Sequence, residues 1–129
     1  MELVIKELGD FSEISEEVKK LQFCIEFNEC IDGLIPDCVT HLEFGFYFNQ
    51  PVNNLPNSIT HLNFGYCFNQ SVNNLPSSIT HLEIGGKFNK SVESRGKNKT
   101  LFCYFPDGED RKKEKILFLS FYLLIYQRV

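Results

Sequence analysis

Between residues 35 and 94 the apolar and polar positions recur with a single period. Three blocks of 20 residues align without gaps: "IPDCVTHLEFGFYFNQPVNN" (35–54), "LPNSITHLNFGYCFNQSVNN" (55–74) and "LPSSITHLEIGGKFNKSVES" (75–94). Neighbouring blocks share twelve of their twenty positions, which is internal repetition rather than chance. Within each block the alternation is that of a half-buried strand. In the middle block Leu62 and Phe64 are apolar, and His61 and Asn63 lie between and beside them. Gly65 then allows a backbone turn that a side chain would obstruct. Phe68, Val72 and Leu75 are expected to point inward from a return path, and Pro56 and Pro76 to mark the start of an extended segment.

A period of 20 is too short for a pair of helices and suits one strand plus its return. A single such coil cannot cover its own Leu and Phe. Stacked at the strand spacing of about 4.8 Å, equivalent residues cover one another, which is the physical reason for the recurrence. A degenerate copy spans 14–34 at an offset of 21, with Val18, Leu21, Phe23, Phe27, Asn28 and Ile31 under Val39, Leu42, Phe44, Phe48, Asn49 and Val52. A fifth echo begins at Thr100, with Phe102 and Tyr104 placed in the strand's apolar positions. The fold expected is therefore mainly β: one solenoid domain over 1–129, with one strand per 20-residue coil and non-repeat ends at 1–13 and 95–129. "MELVIKEL" alternates as a short first strand, and "SEISEEVKK" is expected to form a helical turn capped by Ser12 or Ser15. At the other end "TLFCYF" is expected to be a strand and "PDGEDRKKEK" (106–115) a polar turn. The run "ILFLSFYLLIY" (116–126) would be about 17 Å long as a helix, well short of a roughly 30 Å hydrocarbon core, and is expected to cap the stack. The alternative for it is a membrane-seeking tail behind the basic stretch.

Composition agrees with a packed domain: 43% of residues are hydrophobic and 14% aromatic, with thirteen Phe and no Trp. Five cysteines show no C-x-x-C spacing, and "MELVIKELGD" lacks the charge and apolar run of a secretory signal, so reduced thiols and a cytoplasmic location are expected. The net charge of −4 is unevenly divided. Residues 1–94 carry 5 basic and 13 acidic side chains, whereas 95–129 carry 8 basic and 4 acidic. An acidic repeat region disfavours nucleic acid there. Nucleic-acid binding would have to use the segment containing Arg95, Lys97, Lys99, Arg111, Lys112, Lys113 and Lys115.

Several recurring positions are candidates for function. Asn28, Asn49, Asn69 and Asn89 each follow the return-path Phe, and are expected to form an inward structural ladder that satisfies turn backbone groups. His41, His61 and His81 fall at one strand position and form a column facing away from the core, with Glu43, Asn63 and Glu83 as the adjoining column. Imidazole and carboxylate are ordinary zinc ligands, but a linear column does not converge on one point, so neither a metal nor a cofactor is expected. No Ser or Cys recurs against these imidazoles, and an enzyme needs one distinct centre rather than three copies, so no catalysis is expected either. The variable positions read Glu, Asn, Glu at 43/63/83, Phe, Tyr, Gly at 46/66/86, and Tyr, Cys, Lys at 47/67/87. A constant core beneath a varied surface is the economy of a recognition protein, and Phe46, Tyr47 and Tyr66 are the residue types that anchor interfaces.

The pattern LPxSITHLxFGxxFNQxVNN resembles the FNIP repeats of social amoebae and of the giant DNA viruses that infect amoebae. It covers 34–94 well and 14–33 loosely. The resemblance implies a right-handed, leucine-rich-repeat-like solenoid that binds other proteins, in host cytoplasm if the chain is viral. Here the turn positions read Phe-Asn-Gln or Phe-Asn-Lys, without the Ile that gives the family its name. Many family members carry an F-box, which implies substrate recruitment in ubiquitin ligation. About a dozen residues precede the first repeat here, so no such module is expected within 1–129. The expected function is binding of a protein partner, as a monomer, through the strand-lined face: His41, Glu43, Phe46, Tyr47, His61, Asn63, Tyr66, His81 and Glu83.

Overall fold

The alternating segments become strands, and the strands stack in chain order. The computed structural model describes residues 1–90, together with the backbone of the strands at 100–103 and 114–117. These are β1 (Glu2–Ile5), β2 (Lys20–Phe23), β3 (His41–Glu43), β4 (His61–Asn63), β5 (His81–Ile84), β6 (Thr100–Cys103) and β7 (Glu114–Leu117). Each strand pairs in parallel with the next from β1 to β6, and β7 closes the sheet antiparallel to β6. The register puts Leu3, Leu21, Leu42, Leu62, Leu82 and Leu101 in one file, at successive offsets of 18, 21, 20, 20 and 19 residues. Like meets like through a β-solenoid of about four turns.

The core is a set of such files. Leu21, Leu42, Leu62 and Leu82 are buried, as are Phe23, Phe44, Phe64 and Ile84 two residues along the strand. Phe27, Phe48, Phe68 and Phe88 enter from the return path, with Ile31, Val52 and Val72 beyond them. Rings in the return file stack at centroid distances of 6.3–6.4 Å, and Phe27, Phe48 and Phe68 meet the strand ring of their own coil more closely, Phe64 and Phe68 at 3.7 Å. Full burial of each such side chain contributes about 1.5–3 kcal/mol, so the stacked files are the main source of stability. Leu75 is only half-buried, at the edge of this core. No polar or charged residue is buried among those described.

Glycine at 65 is required by close approach. A Cβ on Gly65 would sit on the carbonyl of Gly45 in the preceding coil, and one on Gly85 would meet that of Gly65. The left-handed backbone that a turn glycine often supplies occurs instead at Gly33, with φ of 71°.

Three features at the ends differ from the sequence reading. The N-terminal helical turn is a 3-10 helix at Leu8–Glu13, not at "SEISEEVKK" (12–20). Residue Ile14 is extended, and Val18 is needed in the core, so burial overrides the local propensity of the glutamate-rich stretch. Asp10, rather than Ser12 or Ser15, organises the turn: its carboxylate accepts the backbone N–H groups of Lys6 and Glu7, which holds its pKa below the usual range. Phe11 from this turn packs on Phe23 and Phe27 and covers the first coil. In β6 the offset of 19 moves the phase by one residue. Leu101 and Cys103 therefore lie opposite Leu82 and Ile84, whereas Phe102 lies opposite Glu83 and Tyr104 falls outside the described residues. Of the polar turn expected at 106–115, Glu114 and Lys115 belong instead to β7, with the start of the apolar run, and 106–113 lie outside the described residues. The rest of 116–126 and the basic side chains beyond residue 94 lie outside the described residues. Among the described residues no helix is long and apolar enough to cross a membrane.

Candidate functional site

The outer side of the strands is a continuous surface built from three columns. His41, His61 and His81 are in register, and their rings stack face to face at centroid distances of 4.1 and 4.2 Å, tilted by 12° and 7°. The second column, Glu43, Asn63 and Glu83, is likewise in register, and the Asn63 carboxamide donates to Glu83 at 3.5 Å. With Lys20 these residues line a shallow groove floored by Leu42, Leu62 and Leu82. The third column follows the glycine turn: Phe46 and Tyr66 stack at 5.1 Å and 12°, and Tyr47 meets Phe46 edge-on at 4.9 Å. A second groove lies between Phe46 and Tyr66 on one side and Asn63 and Glu83 on the other. Its floor is Gly65 and Gly85, so the glycines that let coils approach also leave this floor without side chains. Of the nine residues picked out from the sequence, eight line one or other of these grooves, and Tyr47 lies outside both, against Phe46.

Backbone and threonine hold the imidazoles in place. The carbonyl of Thr40 accepts the N–H groups of both Thr60 and His61, and the carbonyl of Thr60 those of Thr80 and His81. Each Thr hydroxyl lies 3.2–3.3 Å from the carbonyl one coil before it and 2.7–2.8 Å from Nδ1 of its own His neighbour. The hydroxyl donates to that carbonyl, and its oxygen faces Nδ1 of the imidazole. Burial holds the pKa of His61 below its ordinary value, and the neighbouring His41 and His81 lower it further. His61, at the centre of the column, is therefore neutral near pH 7. Lys20 sits at its end, 3.0 Å from Glu43 and 3.5 Å from Glu2, and the Glu43 carboxylate raises its pKa.

The asparagines form a ladder along the edge of the coils, not inside them. Asn28 accepts the backbone N–H of Asn49 at 2.8 Å, Asn49 that of Asn69 at 2.9 Å, and Asn69 that of Asn89 at 3.0 Å. Asn49 and Asn69 are half-buried and Asn28 and Asn89 exposed, so the inward placement expected of them does not occur. The reason is geometric: the N–H needing a partner belongs to the next coil, and reaching it requires a side chain along the stack axis. Gln50 and Gln70 reinforce the ladder by donating to the carboxamides and carbonyls of Asn28 and Asn49.

Sequence reasoning missed the roles of Thr40, Thr60 and Thr80, of Gln50 and Gln70, and of the two lysines on this face. The threonines and glutamines recur in the alignment, which was the available signal. Lys20 and Lys87 do not recur, and only the fold brings Lys87 over the ring of Tyr66, 5.7 Å from its centroid. Among the described residues no cluster of His, Cys, Asp or Glu could hold a metal ion. Cys24, Cys30, Cys38 and Cys67 are free thiols.

A family model described as "FNIP Repeat" matches residues 27–67 and 48–87, the coils that carry all three columns. No curated protein matches the chain.

Proposed function

We propose that this chain, which is an FNIP repeat-containing protein, is a non-catalytic interaction module that binds a protein partner through the strand-lined face. One observation carries the reading. Over a core of nearly identical files, the outer face sets a constant imidazole column beside aromatic and carboxylate positions whose identities change from coil to coil. Stacking explains the uniform interior but requires none of the outer residues. Exposed aromatics beside a polar rim are the composition of protein interfaces, and Phe46 and Tyr47 are 41% and 53% exposed. The repeated, evenly spaced imidazoles lack the single asymmetric centre that chemistry needs, which supports binding over catalysis.

The test is capture with variants of the two surfaces. His61→Ala, Asn63→Ala and Tyr66→Ala combined should abolish recovery of a partner that the wild-type chain retains from lysate. Asn53→Ala, Asn57→Ala and Asn74→Ala combined, all exposed on the return path, should leave recovery unchanged. Equal recovery by the two triple variants, or loss only in the second, rejects the strand face as the binding surface.

A further inference from the structure

The grooves of the strand face favour one kind of partner. The described residues 1–90 hold 5 lysines, no arginine and 12 acidic side chains, so the coils present a strongly negative field to any approaching chain. Two of those five lysines lie against the strand face, and both are held by it. Lys20 is taken by the carboxylate column, and Lys87 lies over the Tyr66 ring. Each is an intramolecular sample of how an ammonium group docks there. The aromatic wall distinguishes this from an ordinary solvated acidic face. Ile25, Phe46 and Tyr47 are exposed, and the groove between the rings and Asn63 and Glu83 is floored by Gly65 and Gly85, which put no side chain into it. An apolar side chain can settle on that floor while a cation two residues away reaches the carboxylate column or a ring face. An acidic peptide or a nucleic acid would meet like charge along the same path.

We propose that the groove between the Phe46/Tyr66 wall and the Asn63/Glu83 column takes an extended basic peptide whose groove-facing side chains, every second residue, are in turn apolar and Lys or Arg. The inference rests on the strand face being the binding surface and names the partner's chemistry. Lys87 then acts as an internal competitor for the Tyr66 ring, which gives the proposal a distinctive sign.

The test uses fluorescence anisotropy with the full chain and two labelled heptapeptides, Leu-Ser-Arg-Ser-Leu-Ser-Arg and its Leu/Glu counterpart Leu-Ser-Glu-Ser-Leu-Ser-Glu. The Leu/Arg peptide should bind and the Leu/Glu peptide should not. Phe46→Ala with Tyr66→Ala should weaken binding about tenfold or more, as loss of an anchoring aromatic pair does. Lys87→Ala should tighten binding severalfold, and more than Lys90→Ala, an exposed lysine whose removal changes net charge equally. Glu16→Gln with Glu17→Gln, exposed carboxylates away from the groove, should change it less than about twofold. Lys87 and Lys90 are exposed, so their variants remain informative if the aromatic double variant fails to fold. Equal effects of Lys87→Ala and Lys90→Ala, a Glu16/Glu17 effect as large as the aromatic one, or binding of the acidic peptide would overturn the proposal. Failure of the basic peptide alongside face-dependent capture of another partner would reject the basic class and leave the strand face standing as a binding surface.

Discussion

Leu62 and His61 are adjacent in the chain and repeat with the same fidelity across the three coils of 35–94, yet their recurrence has different causes. Leu62 is buried against Leu42 and Leu82 and exists in triplicate because each copy needs the others to exclude water. His61 is half-exposed, and its stack with His41 and His81 is made possible by the register rather than demanded by the core. Repetition in a solenoid is therefore evidence of packing only on the inner side. On the outer side it is a choice, and so is the variation at 46/66/86. The sharpest way to break this contrast is to truncate both neighbours. Leu62→Ala should cost about 2–5 kcal/mol, since the coils on either side prevent the cavity from closing. His61→Ala should cost about 1 kcal/mol or less. Denaturant melts of the two variants measure both. Similar losses would mean that the imidazole column is part of what holds the stack together.

The asparagine ladder lies between these extremes, and its effect should be intermediate. Asn49→Ala leaves the Asn69 N–H without its acceptor and removes one of two contacts from Gln70, so it should cost about 1–2 kcal/mol. Asn49→Asp keeps an acceptor oxygen in place and should recover much of that loss. If Asn49→Asp melts as low as Asn49→Ala, the ladder is not acting through the coil-to-coil hydrogen bond.

The inner side was also the side legible in the sequence. Period and alternation together specify that Leu21, Leu42, Leu62 and Leu82 share a file, because a one-residue slip would turn every apolar strand residue outward. The same reasoning failed at β6, where an offset of 19 replaced the expected phase and put Leu101 rather than Phe102 in the file. It also failed at residues 12–20, where glutamates and a serine suggest a helix but Val18, Lys19 and Lys20 are drawn into the coil. Outer contacts were less legible still. The link from Thr60 to Nδ1 of His61 depends on side-chain rotamers, and the contact of Lys87 with Tyr66 joins positions that share no pattern. Strand periodicity says which side a residue faces, and little about what it touches there.

The smallest effect concerns charge on the outer side. His61 has its pKa lowered from an ordinary 6.5 because it is partly buried and flanked by two further imidazoles. Its unfolded form therefore binds a proton at a pH where the folded form does not, so stability is complete above 6.5 and falls as pH drops through the folded value. The groups facing it pull in both directions: His41, His81 and Lys20 oppose its protonation once charged, whereas Glu43 and Glu83 favour it. A modest fall in Tm between pH 7 and 5 is expected, with His61→Gln flattening part of it and Leu62→Val, at the neighbouring inner position, leaving its pH slope unchanged. An identical slope in wild type and His61→Gln would assign the pH response to other groups. The imidazole column would then be electrostatically inert, and any role it has would come from the shape and hydrogen bonding of its rings.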